Sequence, residues 1–540
     1  MNHPYGLWSL LPPIAAIVLA IITRRAALSL FCGVAIGALI LAHGNPVVAV
    51  PELLETHLWQ VGTDNDRLRV FAFTLLMGAM VGVISRSGGM KGLVDAITPL
   101  ASNRRRGQLA TWMLGLVVFF DDYANTMLLG STLRPLCDRL RISRAKLAYL
   151  VDSTSAPVAG LALVSTWVAG EISYVQDGLN NTTAAEGTTI EAEAFSLFLA
   201  SIPYRFYVLW ALVMVPLVAI LARDFGAMRK AEHNALTGKD GTKSDAFAED
   251  GQPTTSAHWL FAVIPVVVTV AAIVALMWAT GRASLLKEDS DANPSLMQMF
   301  GDADPYGSLL WGSLAGLLCA FALTFAGRLL SMKSTIDAAG RGARQMLPAL
   351  LILWLASSLS TMTGGELGPD ESFSEQSYRL YTGEYLSASI GSELPAWLLP
   401  TLIFVLSAGV AFATGTSWGT MGIVMPMAIP LAVSVLQSGS VVVDPGNPIL
   451  LCTIGSVLAG AIFGDHCSPI SDTTVLSSQA SGCDHIAHVW TQLPYALVVG
   501  LITILFGTLP IGLGVNVWFL LPGGVVVMAI ALLLLGKRVE

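Results

Sequence analysis

The chain has 540 residues, of which 54% are hydrophobic and only 12% carry a charged side chain. Soluble domains carry about 25% charged residues, so this composition excludes a soluble protein and indicates a membrane protein. The formal net charge of -8 gives no support to a nucleic-acid partner. The 6 cysteines show no C-x-x-C spacing, so we expect neither a disulfide framework nor a thiolate metal site.

Long apolar runs recur along the whole chain. The N-terminal run has no basic region before it and carries its arginines after it, so we interpret it as a first span rather than a signal peptide. The predicted spans cover residues 7–22, 26–42, 68–85, 145–169, 195–221, 258–279, 306–325, 346–361, 448–480, 488–509 and 511–535. The sequence therefore predicts an all-α polytopic membrane protein with about 11 transmembrane helices.

Two further apolar stretches, residues 107–136 and 395–436, are interrupted near their middle by the polar clusters DDYANT and TGTSWGT. Their membrane topology follows from the charged segments. Lys and Arg collect at 24–25, 104–106, 139–146, 223–230, 341–344 and 537–538, whereas the acidic segments are 171–193, 284–304 and 362–394. The positive-inside rule places the basic clusters and the C-terminus in the cytoplasm, with the acidic segments and the N-terminus outside.

These assignments agree with one another only if each interrupted stretch leaves and re-enters the membrane on the same side. Each stretch is then a re-entrant hairpin with a polar tip at membrane depth, which is tolerated where protein or a water-filled cavity surrounds it. The alternative is that one arm of a hairpin crosses fully, which would invert the topology of everything downstream.

An internal repeat follows from the order of these elements. The order span, hairpin, proline-broken span, span occurs at residues 68–221 and again at 346–509. LVDSTSAPVAG follows the first hairpin and IFGDHCSPISD the second; each contains an aspartate, small hydroxyl or thiol residues, and a proline. A proline in mid-span frees a backbone carbonyl. Because the charge pattern gives the copies opposite orientations, the sequence predicts an inverted repeat, which places substrate sites where broken helices meet.

The remaining segments complete the predicted organisation. We divide the chain into N-terminal spans with an outer loop (1–67), a first repeat (68–221, hairpin 107–136, broken helix 145–169), a cytoplasmic linker (222–257), connecting spans (258–345), a second repeat (346–509, hairpin 395–436, broken helix 448–480) and a C-terminal span (510–540). The linker is charged and Gly-rich, which is typical of a flexible connection. The sequence has no G-x-x-x-x-G-K-[ST] motif for a nucleotide-driven pump and no span with a zinc or serine-nucleophile motif, so we expect no enzyme.

Aspartates inside the predicted broken spans are the first candidates for a site. An aspartate at the centre of a span costs about 3 kcal/mol, so Asp152, Asp465 and Asp472 are expected to face a cavity and a partner. Asp465, Ser468 and Asp472 are spaced i, i+3, i+7 and would share one helix face if the break at Pro469 is mild. Their oxygens suit a hard cation such as sodium, and a carboxylate can take a proton when the ion leaves. Asp472 is instead a helix cap if it lies beyond the membrane core.

Polar side chains at the hairpin tips are the second group of candidates. Asn125 and Thr126 offer neutral oxygens to an ion, whereas Asp121 and Asp122 are either paired acids near the site or caps of the returning arm. His466 either relays protons or hydrogen-bonds a freed carbonyl. The candidate cation and proton ligands are Asp465, Asp152, Asp472, Asn125, Thr126, Ser155, Ser468, Thr416, Ser417 and Thr420, with sodium expected at Asp465, Asn125 and Ser468 and proton relay at His466, Asp121 and Asp122.

Three strings of the sequence, GDHCSPISDTTVLSS (464–478), DDYANTMLLGSTLRPLCD (121–138) and ATGTSWGTMGIVMPMAIPLA (413–432), resemble the NhaC-type sodium/proton antiporter family. The family itself resembles the divalent-anion/sodium symporters in fold. The resemblance implies a homodimer in the inner membrane that exchanges sodium for protons by an elevator-type shift, without a cofactor. Because the family is also similar to transporters of organic solutes, the alternative is sodium-coupled transport of an amino acid or a short carboxylate.

Overall fold

Helices dominate the chain, in a computed structural model that describes residues 3–23, 25–97, 99, 101–182, 193–238, 257–288, 299, 303–364, 379–382, 385, 394–437 and 443–539. The α-helices are α1 (Leu11–Thr23), α2 (Ala26–Leu41), α3 (Pro46–Glu52), α4 (Asn65–Arg86), α5 (Gly89–Ile97), α6 (Arg104–Val117), α7 (Asp122–Thr132), α8 (Arg134–Arg139), α9 (Arg144–Asp152), α10 (Ala156–Ala159), α11 (Val168–Asn180), α12 (Ala194–Ser201), α13 (Phe206–Leu221), α14 (Gly226–Leu236), α15 (Leu260–Glu288), α16 (Pro305–Ala326), α17 (Met332–Gln345), α18 (Leu347–Thr363), α19 (Leu399–Thr414), α20 (Ser417–Gln437), α21 (Pro448–Cys467), α22 (Asp472–Ser481), α23 (His485–Thr503), α24 (Leu509–Gly512) and α25 (Val517–Leu535). The described residues also form one antiparallel pair of two-residue strands, β1 (Arg223–Asp224) and β2 (Lys537–Arg538).

The all-α, multi-pass class predicted from composition is confirmed. Within the described ranges, 9 helices are long and apolar enough to cross a membrane, and the number rises to 10 if the bent pair Ala194–Tyr204 and Phe206–Leu221 is one span. Two shorter apolar helices, Gly6–Ala20 and Ala27–Leu41, occupy the first two predicted spans. The predicted total of about eleven spans and the orientation of the termini stay predictions.

Both interrupted stretches consist of two helices separated by a break at the predicted polar cluster. The arms of the first stretch, α6 and α7, have 14 and 11 residues, which is shorter than the roughly 20 residues that cross a bilayer. The arms of the second stretch, Ala396–Thr414 and Ser417–Leu436, are each long enough to cross. Re-entry of either stretch stays a prediction, and the short arms of the first are the ones that fit it by length.

The first broken helix differs from its prediction. Residues 145–169 were expected to form one span with a proline break, but α9 ends at Asp152, α10 is a single turn, and α11 starts only at Val168. At this end of α9 the Thr154 and Ser155 backbone N–H groups donate to carbonyls only three residues earlier, those of Val151 and Asp152, and Pro157 has no N–H with which to continue the helix. The second broken helix follows the prediction more closely, since α21 ends at Cys467 and α22 begins at Asp472.

The predicted outer position of the acidic segment 171–193 stays a prediction. Its first residue, Glu171, lies in the first turn of α11 and is only 2% exposed. Residues 183–192 and most of the other two acidic segments lie outside the described residues. The rule that placed them counts charges along the chain, and it cannot tell a loop acid from one that pairs inside the protein.

The linker between the repeats begins as ordered structure rather than as the flexible connection predicted for 222–257. Helix α14 carries Glu232, which is fully buried: the Arg104 guanidinium donates to its carboxylate at 2.5 Å, and the Ser143 backbone N–H donates at 2.8 Å. Before it, Asp224 of β1 accepts hydrogen bonds from Lys146 and, at 2.6 Å, from the Tyr495 hydroxyl. The predicted linker residues 239–256 lie outside the described residues.

Replacing Glu232 by alanine is expected to release α14 from α6 and α9. The helix contains the trypsin sites Arg229 and Lys230, and losing two hydrogen bonds to a buried charge should speed cleavage there by about tenfold. Limited proteolysis followed by mass spectrometry measures the rate. The exposed neighbour His233 provides the matched control, because His233→Ala changes a solvent-exposed side chain of the same helix and should leave the rate unchanged. Equal rates for the two variants would contradict the docking of α14.

The helices form two groups by their contacts, and the second group includes arms of both interrupted stretches. In the first group α4 packs against α16 and α17, and α15 packs against α16. The α4–α17 contact depends on glycine, because a Cβ added to Gly342 would lie 2.0 Å from the Gly78 carbonyl oxygen. In the second group α21 packs against α19 and α20, while α22 packs against α7 and α9. The second group therefore brings both interrupted stretches and both broken helices together.

Candidate functional site

Two buried aspartates from the two halves of the chain lie in one polar cluster. Asp152 is the last residue of α9 and Asp465 lies in the last turn of α21, with exposed fractions of 0% and 2%. Thr474 of α22 lies between them: its Oγ1 is 3.4 Å from Asp152 Oδ2 and 3.4 Å from the Asp465 carbonyl oxygen. The two motifs that the sequence relates by an inverted repeat therefore meet across one hydroxyl group.

Gln492 of α23 makes a second connection between the halves. Its Nε2 donates to Asp152 Oδ2 at 2.5 Å and to the His466 carbonyl oxygen at 3.0 Å. His488, one turn earlier on α23, places Nε2 3.4 Å from the same Asp152 oxygen and 3.0 Å from Ser477 Oγ. A single carboxylate oxygen thus faces Gln492, His488 and Thr474, an arrangement that stabilises its negative charge. Gln492 and His488 were missed from the sequence; the available signal was a pair of polar residues within an apolar span.

The first turn of α22 directs hydroxyl groups at Asp465. Thr473 Oγ1 donates to Asp465 Oδ2 at 2.9 Å, and the Ser471 hydroxyl lies 3.1 Å from Thr473 Oγ1. Ser471 also caps α22 by accepting from the Thr474 backbone N–H at 3.4 Å. The N-terminus of α22, the positive end of its dipole, therefore lies beside the Asp465 carboxylate. Asp465 lies at the break of the second broken helix, as the sequence predicts, and Thr473 is a hydrogen-bond donor to it that the sequence analysis did not include.

The expected single face of Asp465, Ser468 and Asp472 does not form. The backbone of Ser468 is extended (φ -81°, ψ 126°), so the break is too sharp for the i, i+3, i+7 spacing to hold across it. Ser468 is buried, and its hydroxyl accepts from the Ile470 N–H at 3.3 Å. Asp472 is the first residue of α22 and is exposed. Asp472 therefore lies at the helix terminus, as the helix-cap alternative expects, but the capping residue is Ser471, and Asp472 stabilises the helix as an acid of its first turn.

The first hairpin tip lies against the first break. Asn125 Nδ2 lies within hydrogen-bonding distance of three carbonyl oxygens: Gly115 at 2.9 Å, Val118 at 3.1 Å and Thr154 at 3.1 Å. Gly115 and Val118 belong to the outgoing arm, whereas Thr154 lies two residues after Asp152. Asn125 is 0% exposed, so its amide holds both arms of the tip next to Asp152.

The paired acids of the tip have distinct positions. Asp121 is the N-cap of α7: its Oδ1 accepts from the Ala124 N–H at 2.7 Å, and its Oδ2 accepts from Thr166 Oγ1 at 3.1 Å. Its geometry is that of the capping alternative. Asp122 follows as the first residue of α7 and is buried at 2% exposure. Thr166 also donates its backbone N–H to the Phe120 carbonyl at 2.9 Å, so the tip is tied to the loop before α11.

The second hairpin tip lies against the second break. Gly415 ends α19 in the left-handed region (φ +67°), and a Cβ added there would lie 2.7 Å from the Ile470 carbonyl oxygen. Thr416, Ser417 and Thr420 follow; the Thr420 hydroxyl donates to the Thr416 carbonyl at 2.9 Å, within its own helix. Each tip therefore lies beside the break of its own half, and the two breaks meet through Thr474 and Gln492.

Two further predicted residues have partners within the cluster. His466 Nδ1 lies 3.0 Å from the Tyr207 hydroxyl of α13, and its ring is buried. The Ser155 hydroxyl donates to the Asp152 carbonyl at 2.9 Å, so it closes the end of α9. Ser155 therefore lies beside Asp152, but its hydroxyl donates to the backbone carbonyl rather than to the carboxylate. The Ser155 oxygen can still accept a hydrogen bond or bind a cation.

Two arginines from the first half of the chain hydrogen-bond the last carbonyls of α22. Arg134 Nε donates to the Ala480 carbonyl at 2.6 Å, and Arg134 Nη2 donates to the Gln479 carbonyl at 2.7 Å. Arg144 Nη1 donates to the Ser481 carbonyl at 3.1 Å. The last carbonyls of a helix otherwise lack hydrogen-bond donors and carry partial negative charge. The two guanidinium groups donate to these carbonyls and place positive charge beside them.

A buried ion pair lies next to the first break. Arg205 and Glu171 are 1% and 2% exposed at their side chains, with 2.9 Å between Arg205 Nη1 and Glu171 Oε2. The same Arg205 nitrogen donates to the Gly160 carbonyl at 2.5 Å, and the guanidinium lies over the Phe198 ring at 4.5 Å. Arg205 thus contacts a carboxylate, a backbone carbonyl and an aromatic ring. The pair is therefore a buried ion pair that joins α11, α12 and the residues before α13, and not a pair of charges in an exposed loop.

The chain belongs to the Na+/H+ antiporter family, whose sequence profile matches residues 158–365 and 372–510. The match covers the second interrupted stretch, both acids of the second break and Gln492. The predicted resemblance is therefore confirmed, and the chain is a multi-pass membrane protein of a transporter family.

Three similar proteins extend this result. An uncharacterized protein of Haemophilus influenzae is 32% identical over 501 residues, which is 92% of this chain and 89% of that one. A protein of the same organism named as an uncharacterized Na+/H+ antiporter is 32% identical over 178 residues, 32% of each chain. Among solved structures, Neisseria gonorrhoeae MtrF, from a class of antimetabolite efflux pumps, has a TM-score of 0.55 at 14% identity, covering 92% of this chain and 94% of that one. The last likeness shows a common fold.

Proposed function

We propose that this protein exchanges sodium for protons across the cell membrane as a secondary antiporter. The observation that carries the proposal is the meeting of Asp152 and Asp465, two buried carboxylates from opposite halves of the chain, at the ends of two broken helices. Buried aspartates at membrane depth are costly unless they bind a partner, and transporters built from repeats bind their ions where such helices meet. Family membership supports the choice of sodium and protons as the ions.

The exchange rests on competition for the same oxygens. Ionised carboxylates and neutral hydroxyl or amide oxygens are suitable ligands for a hard cation such as sodium. A proton bound to a carboxylate removes the charge that attracts sodium, so one site holds either ion but not both. Asp465 is the principal carrier in this proposal, because Thr473 donates to one of its oxygens and the N-terminus of α22 lies beside it. Asp152 assists from the facing break.

The mode of movement is part of the proposal. In an elevator-type shift, the group formed by α7, α9 and α19–α23, which holds the acids, would move against the group formed by α4 and α15–α17. The division of helix contacts into these groups supports it. A homodimer would provide the fixed scaffold, and we propose the inner membrane as the location, with the N-terminus outside and the C-terminus in the cytoplasm.

A vesicle experiment tests the function directly. Purified protein is reconstituted into vesicles that contain a pH-sensitive dye, and sodium and then lithium are added with no organic solute present. We expect sodium to cause immediate proton movement that an equal concentration of choline does not cause. Protein-free vesicles control for leakage. Sodium uptake without proton movement would overturn antiport and favour the alternative, sodium-coupled transport of an amino acid or short carboxylate.

A further inference from the structure

Several buried oxygen atoms near the first break have no hydrogen-bonding partner among the described residues. They are Asp152 Oδ1, Gln492 Oε1, Asn125 Oδ1 and Thr126 Oγ1. All four side chains are at most 1% exposed. Buried polar atoms nearly always have a partner, so several such oxygens in the region of the first break need an explanation. The imidazole nitrogens His488 Nδ1 and His466 Nε2 also have no partner among the described residues, and each of them donates or accepts according to its tautomer. The carboxylate and amide oxygens can only accept, which favours a positively charged ligand.

The orientation of the Gln492 amide is fixed by chemistry. Its two neighbours, Asp152 Oδ2 and the His466 carbonyl oxygen, can only accept, at 2.5 Å and 3.0 Å. A flipped amide would place its oxygen against a carboxylate oxygen, so the nitrogen faces them and both of its hydrogens are used. The Oε1 atom of the same amide is buried and has no partner among the described residues, although the Nε2 atom beside it donates to Asp152.

The other two oxygens belong to the first hairpin tip, which contacts the first break through the backbone just after Asp152. Asn125 Nδ2 contacts the carbonyl of Thr154, two residues after Asp152, at 3.1 Å. That contact directs the amide nitrogen to the backbone and leaves Oδ1 without a partner in the described part of the chain. Thr126 is the next residue on α7. The amide N–H groups of Gln492 and Asn125 therefore face the backbone and one carboxylate oxygen, whereas their carbonyl oxygens remain for a ligand.

We propose that Gln492 is a direct ligand of the transported cation through its Oε1, with Asp152 Oδ1 as the charged ligand of the same ion. This inference rests on the proposed sodium transport and adds a residue outside the resembling motifs. The oxygen chemistry, one carboxylate and neutral amide and hydroxyl groups, is that of a hard monovalent cation. Because the Gln492 N–H groups hold Asp152 and the second break together, the ion would bind only when the two breaks are in contact.

Sodium binding to the purified full-length protein tests the proposal without requiring proton coupling. The dissociation constant is measured by equilibrium binding of radioactive sodium, with choline replacing sodium to hold ionic strength constant. Gln492→Met keeps the length of the side chain but removes its oxygen, so it should raise the dissociation constant by about tenfold or more. Gln492→Glu keeps an oxygen at the Oε1 position and loses the N–H groups, and it should retain clearly more affinity than Gln492→Met.

The adjacent residue supplies the matched control. Thr491 is buried on α23 but donates only to carbonyls of its own helix, so Thr491→Val should change the constant by about twofold at most. Wild-type affinity in Gln492→Met would overturn the proposal. Equal weakening in Gln492→Met and Gln492→Glu would overturn it too, because it would reduce Gln492 to a bridge between the breaks. Absence of sodium binding in the wild type would instead refute the proposed function.

Discussion

Replacing Asp465 by asparagine should lower sodium-driven proton movement by at least about 100-fold. The substitution keeps the size of the side chain and an oxygen that can accept from Thr473, so the packing of the second break is preserved. In the proposed exchange it removes the negative charge that would attract sodium and the group that would carry the proton. The measurement is the initial rate of the dye signal in vesicles, at equal protein content.

Asp472 offers a matched control within the same motif. Asp472→Asn removes an exposed charge from the first turn of α22, and such a charge contributes about 0.3–1 kcal/mol to the helix. Its transport rate should therefore stay within about twofold of wild type. A normal rate in Asp465→Asn would remove that residue from the centre of the site. A loss as large in Asp472→Asn would make Asp472 a ligand, against its exposed position.

The second large effect concerns stability and the ion pair of Glu171 and Arg205. Arg205→Met leaves a carboxylate buried without its partner, which typically costs about 3–5 kcal/mol of unfolding free energy. The double variant Glu171→Leu with Arg205→Met removes both charges and should recover much of that loss, because well-packed apolar residues often replace a buried ion pair without cost. Thermal unfolding in detergent, followed for each single variant and for the double variant, measures the difference.

A surface pair provides the comparison for this experiment. Arg69 and Asp304 lie 3.2 Å apart with both side chains 42% exposed. Arg69→Met should cost less than about 1 kcal/mol, since water screens exposed pairs. If the double variant of the buried pair were no more stable than Arg205→Met alone, desolvation of Glu171 would not be the cause of the loss.

The break points of the helices could be predicted because their cost is local. An aspartate beside a proline in an apolar run is unfavourable in lipid wherever the chain folds, so Asp152 and Asp465 can be identified without a partner. The tips were identifiable for the same reason: Asn125 and Gly415 belong to polar or flexible clusters within apolar stretches. The structure adds that each tip lies against the break of its own half.

Other parts of the site depend on partners far away in the sequence. Gln492 binds Asp152 from a position 340 residues away, and Arg205 meets Glu171 across 34 residues. No spacing rule connects such positions, so a polar residue in a span shows only that a partner exists. The width of the first break was missed because α9 already ends at Asp152, where i→i−3 backbone hydrogen bonds replace i→i−4 bonds, five residues before Pro157. The exposed position of Asp472 was one of the two alternatives that the sequence left open.

The arginine contacts at the end of α22 have a mechanical consequence. Arg134 and Arg144, both from the first half, hold the last carbonyls of a helix that belongs by sequence to the second half. The C-terminal end of α22 is thereby anchored to α8 and α9, while its N-terminal end faces Asp465 across residues 468–471. Any rotation of α21 relative to the first half would pivot at those four residues and change the Thr473–Asp465 distance. In the proposed exchange, the distance between Asp465 and its hydroxyl partner, and with it the affinity for the ion, would then depend on the angle of that hinge.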